Sequence, residues 1–409
     1  MNNYVHVRYI IEGDPKDLVP RKLIEDFSFH IDLDTQIQTI YQTSRAKTTH
    51  DELDLVSLSQ IDDGVVEVTL RIPISEKAGS ECLLFIFSII LGNIIRRAEF
   101  TRILLRELRF PNRIMVGLPG PIMGLDGIKN FLGLRNQNVL SSPLASHGDD
   151  IEVSVSRALE LIRAGISLVP DSPVRYYSDF ADCSGYIERF VSSVANAGLR
   201  GICFVNANLG FRSLDKMVSK LKDLSEALNW PIGLRIDPML VGIGVVERLR
   251  RFGLPLFCYS QFNRLIYSSS AGVAIPVLTQ LLRSIGADII SVGTGGGETY
   301  DKGTDTHASI SCMLQPWRFQ SGRRTRELPR TLPILTGGLT PRIAHEVALQ
   351  HSTDIGFHIG KGVLAGPLAL RENVAAFKES LLAAHNGKSY DAFLQSEAKF
   401  LAKYERLVK

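Results

Sequence analysis

Two hydrophobic rhythms divide the chain. Over residues 1–112, apolar positions alternate with polar ones in short stretches and then shift to helical spacing. "YVHVRYII" and "GVVEVTLRIPI" show period-2 alternation, and "QIQTIYQT" and "AEFTRILLRELRF" read as further strands; Asp14–Phe27, opened by Asp-Pro, and Ser80–Asn93 carry helical spacing. Strands of this kind with two helices predict a ferredoxin-like α+β layer. "PNRIMVGLPGPIMGLDG" then breaks the pattern with proline and glycine and marks a boundary.

After Asn136 short apolar runs, rich in β-branched residues, each end in a polar or glycine turn and give way to a helical period. They are "NVLSSPL", "GISLVPD", "GICFVNAN", "PIGLRID", "PLFCYS", "DIISVGTGG", "LPILTGG" and "DIGFHIGKG". In the second of these, the strand is expected over Gly165–Val169. Eight such runs at intervals of about 22 to 44 residues, separated by helical stretches such as Val153–Ala164 and Ser213–Ala227, predict a (β/α)8 barrel. The expected organisation is a ferredoxin-like domain over 1–112, a barrel over 113–370, and C-terminal helices over 371–409 that pack on the barrel or the first domain.

Composition agrees with this size. A chain of 409 residues, 45% hydrophobic and 22% charged, is too long for one compact core. Its 46 basic and 43 acidic residues leave a net charge of +3 with no basic stripe, which argues against nucleic acid as a partner. The most apolar run, "LLFIFSIIL", falls well short of the roughly 20 residues a membrane span needs and reads as a buried helix. No secretory signal pattern opens the chain, and its five cysteines are scattered and odd in number, as expected for reduced thiols in a cytoplasmic protein.

In a barrel, chemistry gathers at the carboxyl ends of the strands. The strongest signal there is a pair of glycine turns, Thr336-Gly337-Gly338 and Gly360-Lys361-Gly362, whose backbone N–H groups can approach an anion and where Lys361 adds charge; tight strand-to-helix turns are the competing reading. "GTGGGETY" fails the spacing of a dinucleotide fingerprint, so Glu298 is read as an acid or base over the mouth or as a solvated charge. Asp171 and Asp237 end strands two and four, as general bases or cation ligands on one reading and as helix caps on the other. His358 beside the eighth turn either faces the mouth or is a hydrogen-bonded structural histidine. No His-x-His, His-Glu-x-x-His or Gly-x-Ser-x-Gly pattern is present.

In this order of domains, the stretch "GPIMGLDGIKNFLG", the pair Gly92-Asn93, "DIISVGTGGGE", "LTGGL" and "GKGVLAGP" resemble the large subunit of RuBisCO, and more closely the RuBisCO-like proteins that share its fold without its carboxylation. The resemblance implies a homodimer in which the first domain of one subunit completes the site over the partner's barrel. Asn93 and Glu25 then match the family's donated polar residues, and His30 falls where a threonine of the substrate clamp would lie. It also implies that the two glycine turns hold substrate phosphate.

The departures matter as much. The family's carbamylated lysine and two carboxylates, which bind magnesium, fall at Pro170, Ser172 and Pro173; two further lysines become Ser142 and Leu144. Strand five carries Tyr259-Ser260 for His-Arg, strand six Ser291 for His, and loop six Glu298 for Lys. Losing the cation forfeits several kcal/mol of enediolate stabilisation, at about 1.4 kcal/mol per tenfold in rate, so carboxylase activity and a bound magnesium cofactor are not expected. The expectation is a lyase or isomerase without a carbamate, acting on a small phosphorylated sugar-derived or hydroxy-acid substrate. Proton transfer is then expected from a subset of Asp171, His147, His358, Glu298 and His30, with Asn93 donated across the interface. A non-catalytic descendant that binds a metabolite or partner is the alternative.

Overall fold

The computed structural model describes residues 4–16, 18, 54–74, 83–92, 100–144, 150–172, 175, 177, 180–209, 211–259, 270–294 and 303–408. Its strands run in chain order as β1 (Tyr4–Gly13), β2 (Asp54–Asp62), β3 (Val65–Pro73), β4 (Phe100–Arg109), β5 (Val139–Ser141), β6 (Leu168–Pro170), β7 (Ile202–Asn206) and β8 (Gly233–Ile236). They continue as β9 (Leu256–Cys258), β10 (Ala271–Val273), β11 (Ile289–Gly293), β12 (Trp317–Ser321), β13 (Arg324–Leu328), β14 (Leu332–Thr336) and β15 (Gly356–His358).

The chain forms two compact units: 1–118 with 262–281 and 318–327, and 119–261 with 282–317 and 328–409. The first unit is a sheet in the order β10-β4-β1-β3-β2. Alternation along β1 turns Val5, Val7, Tyr9 and Ile11 inward, opposite Ile72, Leu70, Val68 and Val66 of β3. That apolar face is covered by the helix Leu83–Gly92, whose Ile90 carbonyl accepts from the Tyr9 hydroxyl at 3.0 Å. The opposite face carries the ion pair Arg8–Glu67, a pair between Arg8 and Glu107, and Arg102–Glu12.

Two features of this sheet depart from the sequence pattern. Residues 54–62, which lack clean alternation, are recruited by the hairpin with β3 through Asp63-Gly64, with Gly64 at φ +68°. Strand β10 is supplied from the middle of the barrel sequence and pairs parallel to β4. A linear division at residue 112 therefore omits two later stretches that pack with the first unit. The expected strand "QIQTIYQT" and most of the expected helix Asp14–Phe27 lie outside the described residues.

The second unit is a closed parallel barrel, β11-β14-β15-β5-β6-β7-β8-β9, and all eight predicted runs supply its strands. Strand two is shorter than its apolar run: Gly165, at φ +106°, ends the helix Ile151–Ala164 in the left-handed conformation, and pairing begins only at Leu168. The interior is filled by Val139, Leu168, Ile202, Phe204, Phe257, Ile289, Leu332 and Ile334, closed below by Leu125, Ile128 and Leu132 of the helix Gly124–Leu132. Gly233 makes room for the Phe204 ring, since a Cβ there would lie 2.1 Å from it. The helices Leu370–His385, Tyr390–Ser396 and Phe400–Val408 form their own apolar cluster around Ala376, Phe393 and Leu401, and the first packs against Pro341–Gln350 of the barrel. Among the described residues no helix is long and apolar enough to cross a membrane.

Candidate functional site at the barrel mouth

Ring contacts show which side chains enter the lumen. Phe204 and Phe257 meet edge to face at 5.6 Å, and Tyr259 and His358 at 5.4 Å; both pairs come from strands that are not neighbours in the barrel. By alternation, Ser141, Arg235, Tyr259, Ser291, Thr336 and His358 therefore form the top of the interior, above an apolar floor.

These residues are linked. Ser141 Oγ lies 2.9 Å from His358 Nδ1, and Tyr259 Oη 3.2 Å from Thr336 Oγ1. The Arg235 guanidinium stacks over the Tyr259 ring at 4.4 Å, and its Nη1 donates to the Asp171 carbonyl. The pair Ile290–Cys258 sets Ser291 beside Tyr259; its hydroxyl is buried without a hydrogen-bond partner among the described residues. Burial first, and then the charge of Arg235, pull His358 down to about 3, so its imidazole is neutral at physiological pH. An unfolded histidine titrates near 6.5, so between about pH 6.5 and 3 the unfolded chain takes up a proton that the folded chain refuses. Stability from this group is full above pH 6.5 and falls on acidification by up to about 1.4 kcal/mol per pH unit. Comparing urea unfolding at pH 6.5 and 5.0, His358→Gln is expected to lose about 2 kcal/mol less than the parent protein; equal losses would show that His358 does not resist protonation.

Asp171 is placed differently. Pro170 pairs with the inward Phe204, so Asp171 turns away from the axis toward the helix Phe180–Asn196. Its carboxylate accepts from Tyr177 Oη at 2.9 Å and the Asn206 N–H at 3.0 Å, and lies 3.7 Å from Arg175 Nε. Burial raises its pKa against the pull of Arg175, the Asn206 N–H, Tyr177 and Arg235. Asp237 caps the short helix Pro238–Val241 by accepting from the Met239 N–H at 3.0 Å.

The two glycine turns follow adjacent strands, since β14 pairs with β15. Gly337 and Gly338 have φ of +96° and +59°, a backbone that side-chain-bearing residues rarely adopt. Gly362 has a packing reason of its own: a Cβ would lie 3.0 Å from the Phe377 ring and 3.1 Å from the Leu339 carbonyl. Lys361 is exposed and opens the four-residue helix Lys361–Leu364. The structure thus brings Thr336, Gly337, Gly338, Gly360 and His358 to one rim and sets the Asp171 carboxylate behind the wall. His147, Glu298, His30, Asn93 and Glu25 lie outside the described residues.

Arg235 is the mouth residue that sequence reasoning passed over. Its signal was present, a lone cation at an inward position of the otherwise apolar strand "GLRI". The residues at the end of strand two do not fit the magnesium site that the resemblance implies. Pro170 has no amine to carbamylate, Ser172 is neutral, and the Asp171 carboxylate is already bound on the outer side of the wall. Ser142 and Leu144, where two lysines would stand, are both buried.

No family model matches the chain. Among curated proteins it is 22% identical over 312 residues to ribulose bisphosphate carboxylase of Archaeoglobus fulgidus, covering 71% of this chain and 69% of that protein. The enzyme of the same name from Thermococcus kodakarensis is 22% identical over 343 residues, 78% of this chain and 74% of that one. Among solved structures, octameric RuBisCO of Pyrococcus horikoshii in complex with sulfate ion superimposes with a TM-score of 0.82 at 18% identity, over 99% of this chain and 93% of that one. A RuBisCO-like protein (MtnW) from Alicyclobacillus acidocaldarius gives 0.78 at 18% identity, over 98% and 99%. With the eight-stranded barrel and the sheet domain before it, these relationships give the chain the fold of RuBisCO and the RuBisCO-like proteins and support a divergent member of that superfamily.

Proposed function

We propose that the barrel mouth binds a small phosphorylated sugar-derived or hydroxy-acid molecule and acts on it as a lyase or isomerase, without a carbamate and without carboxylation. The observation that carries this reading is the left-handed backbone of Gly337-Gly338 at the rim of strand seven, next to the turn of strand eight and beside a polar interior layer. Barrels commonly hold phosphate at these two loops, where backbone N–H groups converge without side chains in the way. Neutral His358, oriented by Ser141, suits a group that polarises a substrate oxygen by hydrogen bonding and makes a poor proton acceptor at pH 7. Proton transfer then falls to His147, Glu298 or His30, the last supplied by the partner in a homodimer together with Asn93; Asp171 serves as a positioning residue for Arg175 and Asn206. Dimeric RuBisCO of Hyperthermus butylicus and the octameric Pyrococcus enzyme share the fold, which supports the dimer.

The test is calorimetric titration with inorganic phosphate. Millimolar or tighter binding is expected, weakened at least tenfold (about 1.4 kcal/mol) in Gly338→Val, where a β-branched residue is forced to positive φ. No binding by the parent protein would return the turns to a purely structural role. Where phosphate esters bind, uptake of deuterium from heavy water into the bound ester separates catalyst from carrier: exchange is expected, and its absence would leave a binding protein.

A further inference from the structure

The mouth holds a cation whose bonding is incomplete among the described residues. Arg235 is 3% exposed, and a buried guanidinium without a hydrogen-bonded counter-charge is costly to keep. Its Nη1 donates to the Asp171 carbonyl and one of its faces is stacked on Tyr259. Asp171 and Asp237 act on it only through space, with no hydrogen bond from the guanidinium to either carboxylate. Its Nε–H and Nη2–H groups meet no acceptor among the described residues. They form the side edge of the fork, the edge that receives the two oxygens of a planar carboxylate in parallel hydrogen bonds. The register sets Tyr259 on the strand next to Arg235 and, one strand further, the buried hydroxyl of Ser291, which has no hydrogen-bond partner among the described residues. Neutral His358 is close enough for the charge of Arg235 to be felt at its ring.

We infer that Arg235 receives a carboxylate, or the enolate that replaces it during reaction, through its Nε–Nη2 edge, and that Ser291 donates a further hydrogen bond to the same ligand. This rests on the reading of the glycine turns as the phosphate end of the site, and it narrows the substrate class to phosphorylated acids. A guanidinium held by stacking and one carbonyl is preorganised, so it supplies fixed positive charge where the site has no carbamate to hold a metal.

The experiment compares two probes of equal length, 3-phosphonopropionate and propylphosphonate, together with inorganic phosphate, by titration calorimetry at pH 7.5. The parent protein is expected to bind 3-phosphonopropionate at least tenfold more tightly than propylphosphonate. In Arg235→Met that ratio falls to about one, and in Arg235→Lys, which keeps the charge but loses the fork, below threefold, with phosphate affinity within twofold of the parent in both. A ratio near one in the parent while phosphate still binds would overturn the assignment of Arg235 and leave the turns intact. A tenfold ratio that persists in Arg235→Lys would overturn it equally, even if Arg235→Met fails to fold. Failure of phosphate and propylphosphonate to bind, with 3-phosphonopropionate still captured in an Arg235-dependent way, would instead remove the turn reading and keep the carboxylate site.

Discussion

Replacing Asp288 with alanine is expected to leave little or no folded protein. Asp288 stands immediately before β11 at the closed, amino-terminal end of the barrel and is fully buried. Its Oδ1 accepts from the backbone N–H groups of Ile122 at 2.8 Å, Met123 at 2.7 Å and Gly124 at 2.8 Å, and its Oδ2 accepts from Leu256 N–H at 2.8 Å. One carboxylate thus fastens the entry of the plugging helix Gly124–Leu132 to two neighbouring strands. Gly124, at φ +58°, must stay glycine for this approach, because a Cβ would lie 2.4 Å from the Arg330 carbonyl. Alanine strands four buried donors at about 1–3 kcal/mol each, partly recovered by water, for a loss of about 4–8 kcal/mol. That approaches the whole stability of a typical domain. Asp288→Asn keeps the shape but turns an amide NH2 toward an N–H, and is expected to cost about 2–3 kcal/mol. Urea unfolding followed by tryptophan fluorescence measures both; a shift of under 1 kcal/mol for Asp288→Ala would mean that these bonds are replaceable.

Arg283→Met is expected to come second, at about 4–6 kcal/mol. Arg283 is wholly buried and donates to four carbonyls: Nε to Pro329 at 3.1 Å, Nη1 to Cys312 at 2.5 Å and Gln315 at 2.9 Å, and Nη2 to Leu328 at 3.3 Å. It lies 4.2 Å from the Trp317 ring centroid. Burial pulls its pKa down to about 10, which leaves it charged at neutral pH. The four carbonyls belong to the chain entering and leaving the β12–β13 hairpin, so methionine fills the volume but leaves those acceptors empty. Arg283→Lys keeps the charge with fewer and less directed donors, and is expected to recover about half the loss. Rapid proteolytic cutting near residues 312–330 in Arg283→Met, reduced in Arg283→Lys, would mark the hairpin roots as the part released; resistance equal to the parent would show that the arginine does not hold them.

Arg235 and Arg283 mark opposite limits of inference from the chain. Each is a single cation in an apolar stretch, "GLRI" and "IPVLTQLLRSI", and nothing local separates them. Tertiary placement does: Arg283 fills its fork with carbonyls, whereas Arg235 keeps one edge without an acceptor among the described residues. The carboxylates divide in the same way. Asp171 and Asp288 both adjoin barrel strands, one with its carboxylate behind the wall at the mouth end and the other locking the floor, and neither enters the lumen.

The eight barrel strands were legible because a strand buried on both faces reads as a compact apolar run with a turn behind it, and that signal depends only on neighbours in sequence. That Pro170 cannot serve as the lysine the resemblance places there was equally plain, because proline has no side-chain amine in any fold. Strand β10, the β2 hairpin and the hydrogen-bond partners of Arg235, Asp171 and Asp288 were settled only by tertiary structure. Strand β10 and the partners of Arg235 and Asp288 rest on contacts between segments tens to hundreds of residues apart, whose closure is repaid by burial and pairing that no local pattern encodes, while β2 joins the sheet through a local hairpin that its own residues do not mark by alternation.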